Sequence, residues 1–268
     1  METLSLPPAA EAFDAVAEAF DERFGSWASV AAQRRAVRTE LVRAFAPGTR
    51  VIEIGGGTGE DAVWLAQMGC EVLLTDPSPT MVRIASAKLH PYDVPAPIAV
   101  AAEDLKSLPR TKPFDGAFSN FAALNCVVDL SAVARGLSGL IRPGGRLLLV
   151  VFGACPPGEW ITQIARSDPR NAFRRSARGN VEARLGGRKF TVRYHRRREL
   201  IESFAPAFRF VGRRGIGVFV PPSAAEPWIT SHPRLLGALE RMDRFASRPL
   251  AMFGDHVLYE FERVEGDG

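Results

Sequence analysis

The sequence predicts an α/β protein with a parallel sheet and crossover helices. Between residues 51 and 152, short apolar runs of strand length alternate with segments of helical periodicity. Strands that are apolar along their whole length are typical of a parallel sheet covered by helices on both faces. A chain of 268 residues with 46% hydrophobic and 24% charged residues is ordinary for a globular protein that buries its own core.

Two or three amphipathic helices are expected first, because apolar residues recur at mostly helical spacing from Glu11 to Phe45. Pro47-Gly48 then ends this pattern. The alternating segment follows, with strands expected at 51–54, 71–75, 98–101, 114–119 and 146–152, and helices at 60–68, 79–89 and 131–141.

The rhythm of the sequence changes after residue 152. We expect a strand at 189–194, a helix at 198–204, a strand at 208–220, a helix at 235–245 and a last edge strand at 256–263. Residues 154–194 and 221–254 are interpreted as insertions that cover the ligand-bearing edge of the sheet.

Several classes of protein are disfavoured by composition. The longest apolar stretch, around residues 147–155, is far shorter than the roughly 20 residues of a membrane-spanning helix. The N-terminus shows no secretory signal pattern. The three cysteines are widely spaced without a Cys-x-x-Cys pair, so we expect a cytoplasmic protein without a disulfide framework or a metal site.

Positive charge is concentrated in one segment. Residues 166–214 hold 15 Lys and Arg against four Asp and Glu, although the whole chain has a net charge of only +4. Such a segment is either a solvated face, or the mouth of a site for an acidic substrate, or an electrostatic footprint for nucleic acid. We favour the first two interpretations over nucleic acid.

The most informative segment is a glycine loop directly after the first predicted strand, Val51-Ile-Glu-Ile-Gly-Gly-Gly-Thr-Gly59. In open α/β sheets, ligands bind beyond the carboxyl ends of the strands, where this loop must lie. Asp76 ends the next predicted strand, and a carboxylate there suits the paired hydroxyls of a ribose because it only accepts hydrogen bonds.

Details of the loop exclude two common nucleotide sites. The dinucleotide pattern Gly-x-Gly-x-x-Gly needs a glycine where this chain has Glu60, and the chain has no Gly-Lys-Ser or Gly-Lys-Thr. The pair Glu60-Asp61 at the start of the following helix would repel a pyrophosphate. The ligand at this loop should therefore carry a cation or an amino group.

Five motifs in order resemble those of class I S-adenosylmethionine-dependent methyltransferases across about residues 45–153. They are the loop Glu53–Gly59, Leu73-Leu-Thr-Asp-Pro-Ser-Pro-Thr-Met81, Ala102-Glu-Asp-Leu105, Phe114-Asp-Gly-Ala-Phe-Ser-Asn120 and Leu140-Ile-Arg-Pro-Gly-Gly145. The resemblance implies a Rossmann-like seven-stranded sheet, mostly parallel with an antiparallel last strand. It also implies S-adenosylmethionine as cofactor and S-adenosylhomocysteine as product.

With this resemblance, the predicted organisation has six parts. They are an N-terminal helical cap at 1–45, a cofactor-binding core at 46–153, a basic insertion or lid at 154–194, a continuation of the core at 195–220, a helical insertion at 221–254, and the last core strand and tail at 255–268.

The resemblance also assigns cofactor contacts residue by residue. Gly55, Gly57 and Gly59 pack against the methionine moiety, Glu53 steadies the loop and the ammonium end, and Asp76 accepts from the ribose hydroxyls. Pro77, Ser78 and Met81 border the adenine, Ala102 and Glu103 contact its edge, and Ser119 or Asn120 lies beneath the methionine. Relatives often have Asp where this chain has Ala101. The alternative is that Glu53 caps a loop and that Asp76 is an N-cap with Pro77 at the first helical position.

Methyl transfer from a sulfonium needs mainly alignment, and a general base only for a hydroxyl or a protonated amine. His195 is the best candidate base, ahead of His232, His90 and His256, and its alternative is a solvent-facing side chain in an Arg-rich strand. Tyr194 and Asn125 are comparable candidates.

The expected acceptor is a small molecule, either anionic or lipid-like. Residues 119–125 lack the Pro-Pro pair typical of base-amine methylation, and no cysteine follows a proline. The aromatic residues Phe13, Phe20, Phe24 and Trp27 would be pocket walls or plain core. An RNA or other nucleic-acid methyltransferase and a non-catalytic S-adenosylmethionine-binding protein are the alternatives.

Overall fold

A seven-stranded sheet organises the chain, whose computed structural model describes residues 6–109, 112–177 and 179–265. The strands in chain order are β1 (Arg50–Ile54), β2 (Glu71–Asp76), β3 (Ile98–Ala99), β4 (Phe114–Ser119), β5 (Ile141–Phe152), β6 (Asn180–Leu185), β7 (Arg188–Arg193), β8 (Phe208–Ile216) and β9 (His256–Arg263). β6 and β7 form a separate hairpin.

Ten α-helices and several short 3₁₀ helices surround the sheet in the described residues. The α-helices are α1 (Pro8–Asp14), α2 (Phe20–Gly25), α3 (Ala28–Ala44), α4 (Glu60–Gln67), α5 (Pro79–Leu89), α6 (Leu130–Ser138), α7 (Pro157–Ala165), α8 (Pro169–Ala172), α9 (Arg197–Phe204) and α10 (Pro233–Ala246). The 3₁₀ helices are Ala17–Ala19, Ala102–Ser107, Ala123–Cys126, Arg174–Ser176, Ser223–Ala225 and Ala251–Phe253. No helix in this part of the chain is both long enough and apolar enough to cross a membrane.

The strand order is β3-β2-β1-β4-β5-β9-β8. β1 to β5 are mutually parallel, and β9 is antiparallel to both β5 and β8. The predicted fold class, a mostly parallel seven-stranded sheet with an antiparallel last strand, is confirmed. Apolar side chains of the strands pack on both faces, against α6 and α9 on one side and against α3, α4 and α5 on the other.

The predicted edge position of β9 is wrong, because β9 lies inside the sheet and β8 forms the edge. The alternation of polar and apolar residues in β9 indicated a half-exposed strand. Its polar members, Glu260 and Glu262, instead form ion pairs with neighbouring strands, through Arg146 of β5 and Arg209 of β8.

Several boundaries also differ from the prediction. The helix expected at 131–141 ends at Ser138, and β5 begins at Ile141. The strand expected at 208–220 ends at Ile216, before a left-handed Gly217 with φ of 66°. The strand expected at 98–101 contains only Ile98 and Ala99.

A buried ion network fastens residues 154–177 to the sheet. Arg175 contacts the Glu159 carboxylate and lies 2.8 Å from Oδ1 of Asp255, the residue directly before β9. Gln33 of α3 donates to the other carboxylate oxygen of Asp255 at 3.0 Å. All four side chains are buried. The insertion is therefore held by charges that depend on one another for compensation.

Candidate cofactor and acceptor site

A cavity of about 740 Å³ lies beyond the carboxyl ends of β1, β2, β4 and β5. This is the place where open α/β sheets bind their ligands, and the volume is typical of a small-molecule site. Nine of the twelve cofactor residues expected from the sequence line it: Glu53, Gly55, Gly57, Asp76, Pro77, Met81, Ala102, Glu103 and Asn120.

The other three expected residues lie behind the lining and have structural partners. Gly59 is the N-cap of α4 and approaches Ala85 of α5. Ser78 caps α5, and the hydroxyl of the fully buried Ser119 donates to the carbonyl of Ile54. These residues shape the loops that surround the cavity.

The glycine loop is held close to its neighbours by its backbone. The Gly55 and Gly56 amides both donate to the carbonyl of Thr75 in β2, at 2.8 and 3.1 Å. Gly55 has a φ of 65°, and a Cβ added there would lie 2.4 Å from Cβ of Ala123. Only glycine fits this turn without strain or a clash, so the loop remains open toward the cavity.

Glu53 is the unusual charge of the site. It is the fourth residue of β1 and is only 2% exposed, and its Oε2 has no hydrogen-bond partner within the described part of the chain. Burial raises its pKa well above the ordinary value, and the nearby carboxylate of Asp61 adds to this rise while Arg34 opposes it. An uncompensated buried carboxylate on a cavity wall suits a ligand cation, as the sequence predicted for the ammonium end.

Asp61 provides a contrast, because protein groups already compensate its charge. Arg34 and Arg38 of α3 each lie 2.8 Å from its carboxylate, and the side-chain amide of Asn120 donates to it at 2.7 Å. Asn120 is therefore fixed at the end of β4. Asp61 was not predicted as a site residue, although the acidic pair Glu60-Asp61 was the available signal in the sequence.

Asp76 holds the second-strand loop in place and faces the cavity. Its Oδ2 accepts from the Gly57 amide and its Oδ1 from the Ser78 amide, both at 2.9 Å. Burial raises the pKa of Asp76, although these two amides act in the opposite direction. The N-cap alternative is wrong: Ser78 caps α5, accepting from the Met81 amide, and Pro79 is the first helical residue. A carboxylate has about four acceptor sites, so Asp76 retains capacity for two hydroxyl donors.

Pro77, Met81, Ala102 and Glu103, which the resemblance assigned to the adenine, all line the cavity. Glu103 Oε1 accepts from the Val128 amide at 3.1 Å, which fixes its side chain. Cys126 also lines the cavity, and burial raises the pKa of its thiol to about 11. The thiol is therefore protonated at neutral pH and is a poor nucleophile.

The opposite end of the cavity is apolar and aromatic. Phe13 and Phe20 contribute from the N-terminal helices, together with Phe121, Phe152, Phe190, Val192 and Tyr194. The β6–β7 hairpin packs on α1 to form this wall. Phe24 and Trp27, also considered as pocket walls, do not line the cavity and pack edge to face with a centroid distance of 5.0 Å.

His195 does not reach the cavity, which corrects its selection as the best candidate base. The side chain is buried behind the 3₁₀ helix Ala123–Cys126, with Nε2 3.0 Å from the carbonyl oxygen of Leu124. Burial lowers its pKa, so it is neutral at physiological pH. The solvent-facing alternative is wrong as well. All four histidines fall among the described residues, and none of them lines the cavity.

The two expected insertions differ in their relation to the site. From residues 154–194, Arg174, Ala183, Phe190, Thr191, Val192 and Tyr194 line the cavity. Residues 221–254 are all described and contribute nothing to the lining, because α10 packs against α3 and β8 instead. This second segment therefore does not form a wall of the cavity.

The sheet order, the glycine loop and the acidic residues at the ends of β1 and β2 define a class I methyltransferase fold. Residues 51–145 match the family model described as a methyltransferase domain. Residues 51–145 therefore form a methyltransferase domain of the class I fold.

Known proteins resemble the chain at two levels. A ubiquinone biosynthesis O-methyltransferase of Xanthomonas campestris is 29% identical over 128 residues, which are 45% of this chain and 51% of that protein. The chain thus spans about half the length of the curated relatives it matches. An S-adenosylmethionine-dependent methyltransferase from Mesorhizobium loti aligns with a TM-score of 0.52 and 20% identity, covering 87% of this chain and 98% of that one. The [4+2]-cyclase SpnF aligns with a TM-score of 0.54 and 15% identity, covering 86% and 82%.

Proposed function

We propose that the protein transfers a methyl group from S-adenosylmethionine to a small acceptor with an apolar body. The observation that carries the proposal is the buried Glu53 carboxylate, whose Oε2 has no hydrogen-bond partner within the described residues. It lies on the floor of the cavity, the part formed by Glu53, the glycine loop, Asp76, Pro77 and Met81, and the other end of the cavity is aromatic. The cationic amino-acid end of the cofactor matches the Glu53 end of the cavity, and an apolar acceptor matches the aromatic end.

The residues on the floor fit this cofactor. Glu53 would pair with the ammonium group, Asp76 would accept from the ribose hydroxyls, and Met81 and Pro77 would border the adenine. When bound, the cofactor supplies an activated methyl group on a sulfonium. Because the protein already holds Asp76 and Asn120 by hydrogen bonds, little reorganisation is needed on binding.

The apolar wall orients the acceptor and keeps water out. Phe13, Phe152 and Phe190 surround this end, and alignment of reactants in such a site can lower a barrier by roughly 7–11 kcal/mol. Tyr194 stays protonated because burial raises its pKa, so it acts as a hydrogen-bond donor to an acceptor oxygen. The name of the Xanthomonas relative supports an acceptor that combines a ring hydroxyl with an apolar body.

Arg174 supports an acceptor that carries an anionic or electron-rich oxygen. It lines the apolar end of the cavity, and its guanidinium also lies 2.9 Å from the buried Glu159 carboxylate. An oxygen atom of the acceptor near Arg174 would gain a charge-assisted hydrogen bond.

The basic segment offers less support for a nucleic-acid acceptor. Much of its charge is compensated within the protein, since Arg175 is buried, Arg193 pairs with Glu199, and Arg198 pairs with Glu202. A phosphate track needs exposed cations that are free to displace counterions.

Cofactor binding can be tested by thermal unfolding with S-adenosylhomocysteine, using NAD as the control ligand. At a ligand concentration 100 times the dissociation constant, linkage adds about 2.7 kcal/mol of stability. For a chain of this size this corresponds to a rise in Tm of roughly 5–10 °C. A rise with NAD and none with S-adenosylhomocysteine would contradict the proposal.

Transfer is tested with methyl-labelled S-adenosylmethionine and two acceptor sets. One set contains hydroxylated aromatic rings with and without an apolar tail, and the other contains single- and double-stranded oligonucleotides. We expect label in the first set only. Label in the oligonucleotides would support the nucleic-acid alternative. Tight cofactor binding without any transfer would support a non-catalytic S-adenosylmethionine-binding protein. The similarity to a [4+2]-cyclase shows that this fold is not restricted to one activity.

A further inference from the structure

The outward face of α10 exposes large apolar side chains. Phe245 is 85% exposed, Met242 47% and Leu235 40%. Leu235 and Met242 are seven residues apart and Phe245 follows three residues later, so the three side chains lie along the same side of the helix. An aromatic side chain held in water to this extent indicates a surface that meets an apolar partner.

A stripe of arginines lies next to these apolar residues. Arg234, Arg241, Arg244 and Arg248 are exposed, and none of them forms an ion pair within the ranges that the structure describes. The two acids of α10 are directed elsewhere. Glu240 pairs with Arg35 of α3, and the buried Asp243 accepts from the backbone amides of residues 219 and 220. The exposed face of α10 is therefore cationic and apolar, without exposed acids.

A groove beside this face has room for a polar ligand group. It lies between α3, α10 and β8, has a volume of about 590 Å³, and is lined by Arg244, Phe245 and Arg248. Arg43 and Arg214 also line it, but both lie against the carboxylate of Glu40. Among the described residues, Arg244 and Arg248 are thus the arginines of the groove that form no ion pair.

We propose that the α10 face, defined as Leu235, Met242, Phe245 and the four arginines, binds the surface of an anionic phospholipid bilayer. Helices with an apolar stripe beside a basic one lie in the plane of the membrane interface, where the apolar side chains enter and the cations meet lipid phosphates. Trp228 is 56% exposed just before α10, and an indole ring is favoured at the same depth.

The charge of the α10 face favours a bilayer over a second copy of the chain as its partner. A two-fold contact through the α10 face would place arginines against arginines, because such an interface uses the same patch on both subunits. Like charges at close range repel each other, whereas the negative charge of an anionic lipid surface is complementary to all four arginines.

The position of α10 relates this surface to the cavity. His256 pairs with Phe152 of β5 and with Ile216 of β8, so β5 and β8 end at the same level of the sheet. The Asp243 carboxylate accepts the amides that directly follow β8. α10 therefore packs beside the edge of the sheet that carries the cavity. A bilayer bound to its exposed face would adjoin the side from which an apolar acceptor would come.

The test is flotation of the full chain with phosphatidylcholine vesicles, with or without phosphatidylserine, at low and physiological salt. We expect binding only to vesicles that contain phosphatidylserine, and weaker binding as salt rises. Phe245→Ser should lower the vesicle partition coefficient about tenfold. Arg244→Gln with Arg248→Gln should lower it by roughly 25-fold, since each basic residue near an anionic surface contributes about fivefold.

Matched controls lie on other surfaces. Ile161→Ser removes an exposed apolar side chain from α7, and Arg184→Gln with Arg198→Gln removes the same charge from the basic segment. Both should bind vesicles like the wild type. Equal losses in controls and α10 variants, or equal binding to both vesicle types, would overturn the proposal.

Sedimentation velocity tests separately whether the α10 face binds a second copy of the chain. A dimer of the wild type that Phe245→Ser dissociates would assign this face to a second copy and also overturn the proposal. None of these assays uses the cofactor or an acceptor, so their outcome is separate from that of the methyl-transfer proposal.

Discussion

Replacing Glu53 by glutamine should change stability and cofactor affinity in opposite directions. The wild-type carboxylate is buried, has an unpartnered oxygen, and lies near the carboxylates of Asp61 and Asp76. Glutamine has the same shape without the charge. Removing a buried charge that has one unpartnered oxygen should stabilise the free protein by about 1–3 kcal/mol at neutral pH. The same change should weaken binding of S-adenosylhomocysteine about 10- to 100-fold, because a hydrogen bond to a charged group is lost.

The pH dependence of the stabilisation follows from the sign of the pKa shift. The folded protein raises the pKa of Glu53 above its ordinary value of 4.5, chiefly through burial. Below that pH the carboxyl is protonated in both the folded and unfolded chains, so the wild type and Glu53→Gln should be equally stable. Above it the unfolded chain ionises first, and the wild type loses about 1.4 kcal/mol per pH unit until the folded pKa is reached.

Two measurements check these expectations: urea unfolding from about pH 4 to 9, and isothermal titration with S-adenosylhomocysteine at neutral pH. Glu71→Gln in β2 is the control, because Glu71 is partly exposed and pairs with Arg50 away from the cavity. Its effect on both quantities should stay below about 1 kcal/mol. The reasoning fails if Glu53→Gln binds the product with wild-type affinity, or if it is less stable than the wild type at alkaline pH.

Three further predictions concern the loop, the ribose contact and the buried ion network. Asp76→Asn should weaken S-adenosylhomocysteine binding about 10- to 100-fold in isothermal titration, and an unchanged affinity would remove the ribose role. Gly55→Ala should destabilise the fold more than the control Gly48→Ala, for which left-handed strain of roughly 1–2 kcal/mol is expected, because a Cβ at position 55 also clashes with Ala123 whereas one at position 48 meets nothing. Equal losses in urea unfolding would contradict that contact. Arg175→Gln should cost about 3–5 kcal/mol by leaving Glu159 and Asp255 uncompensated. Although burial alone would raise the pKa of Asp255, Arg175 and His256 hold it well below 3.8, so wild-type stability should fall with pH in acid while that of Arg175→Gln falls less.

The cofactor side of the fold could be predicted from the sequence because its signals are local. The expected strand 114–119, helix 79–89 and strand 256–263 have the observed bounds. The position of β9 between β5 and β8 could not be predicted this way, since strand order depends on contacts distant in sequence.

The apolar wall of the cavity could be predicted only in part from the periodicity of the sequence. β6 was missed because its side chains alternate between exposed and half-buried without a strong apolar run, although the turn Gly186-Gly187 is a hairpin signal. His195 was selected from residue type and neighbouring charge. Its actual orientation, toward the carbonyl of Leu124, depends on a contact 71 residues away along the chain.

The floor and the apolar wall of the cavity come from separate stretches of the chain. Residues 51–145, which match the family model, contribute most of the floor, whereas α1 and the β6–β7 hairpin lie outside that match. Under the proposed function, changes in the hairpin should alter acceptor preference while cofactor binding is retained, because the two lie in separate parts of the chain. For the same reason, exchanging residues 180–193 for another hairpin offers a route to new acceptors, measurable as an altered acceptor KM at constant cofactor Kd.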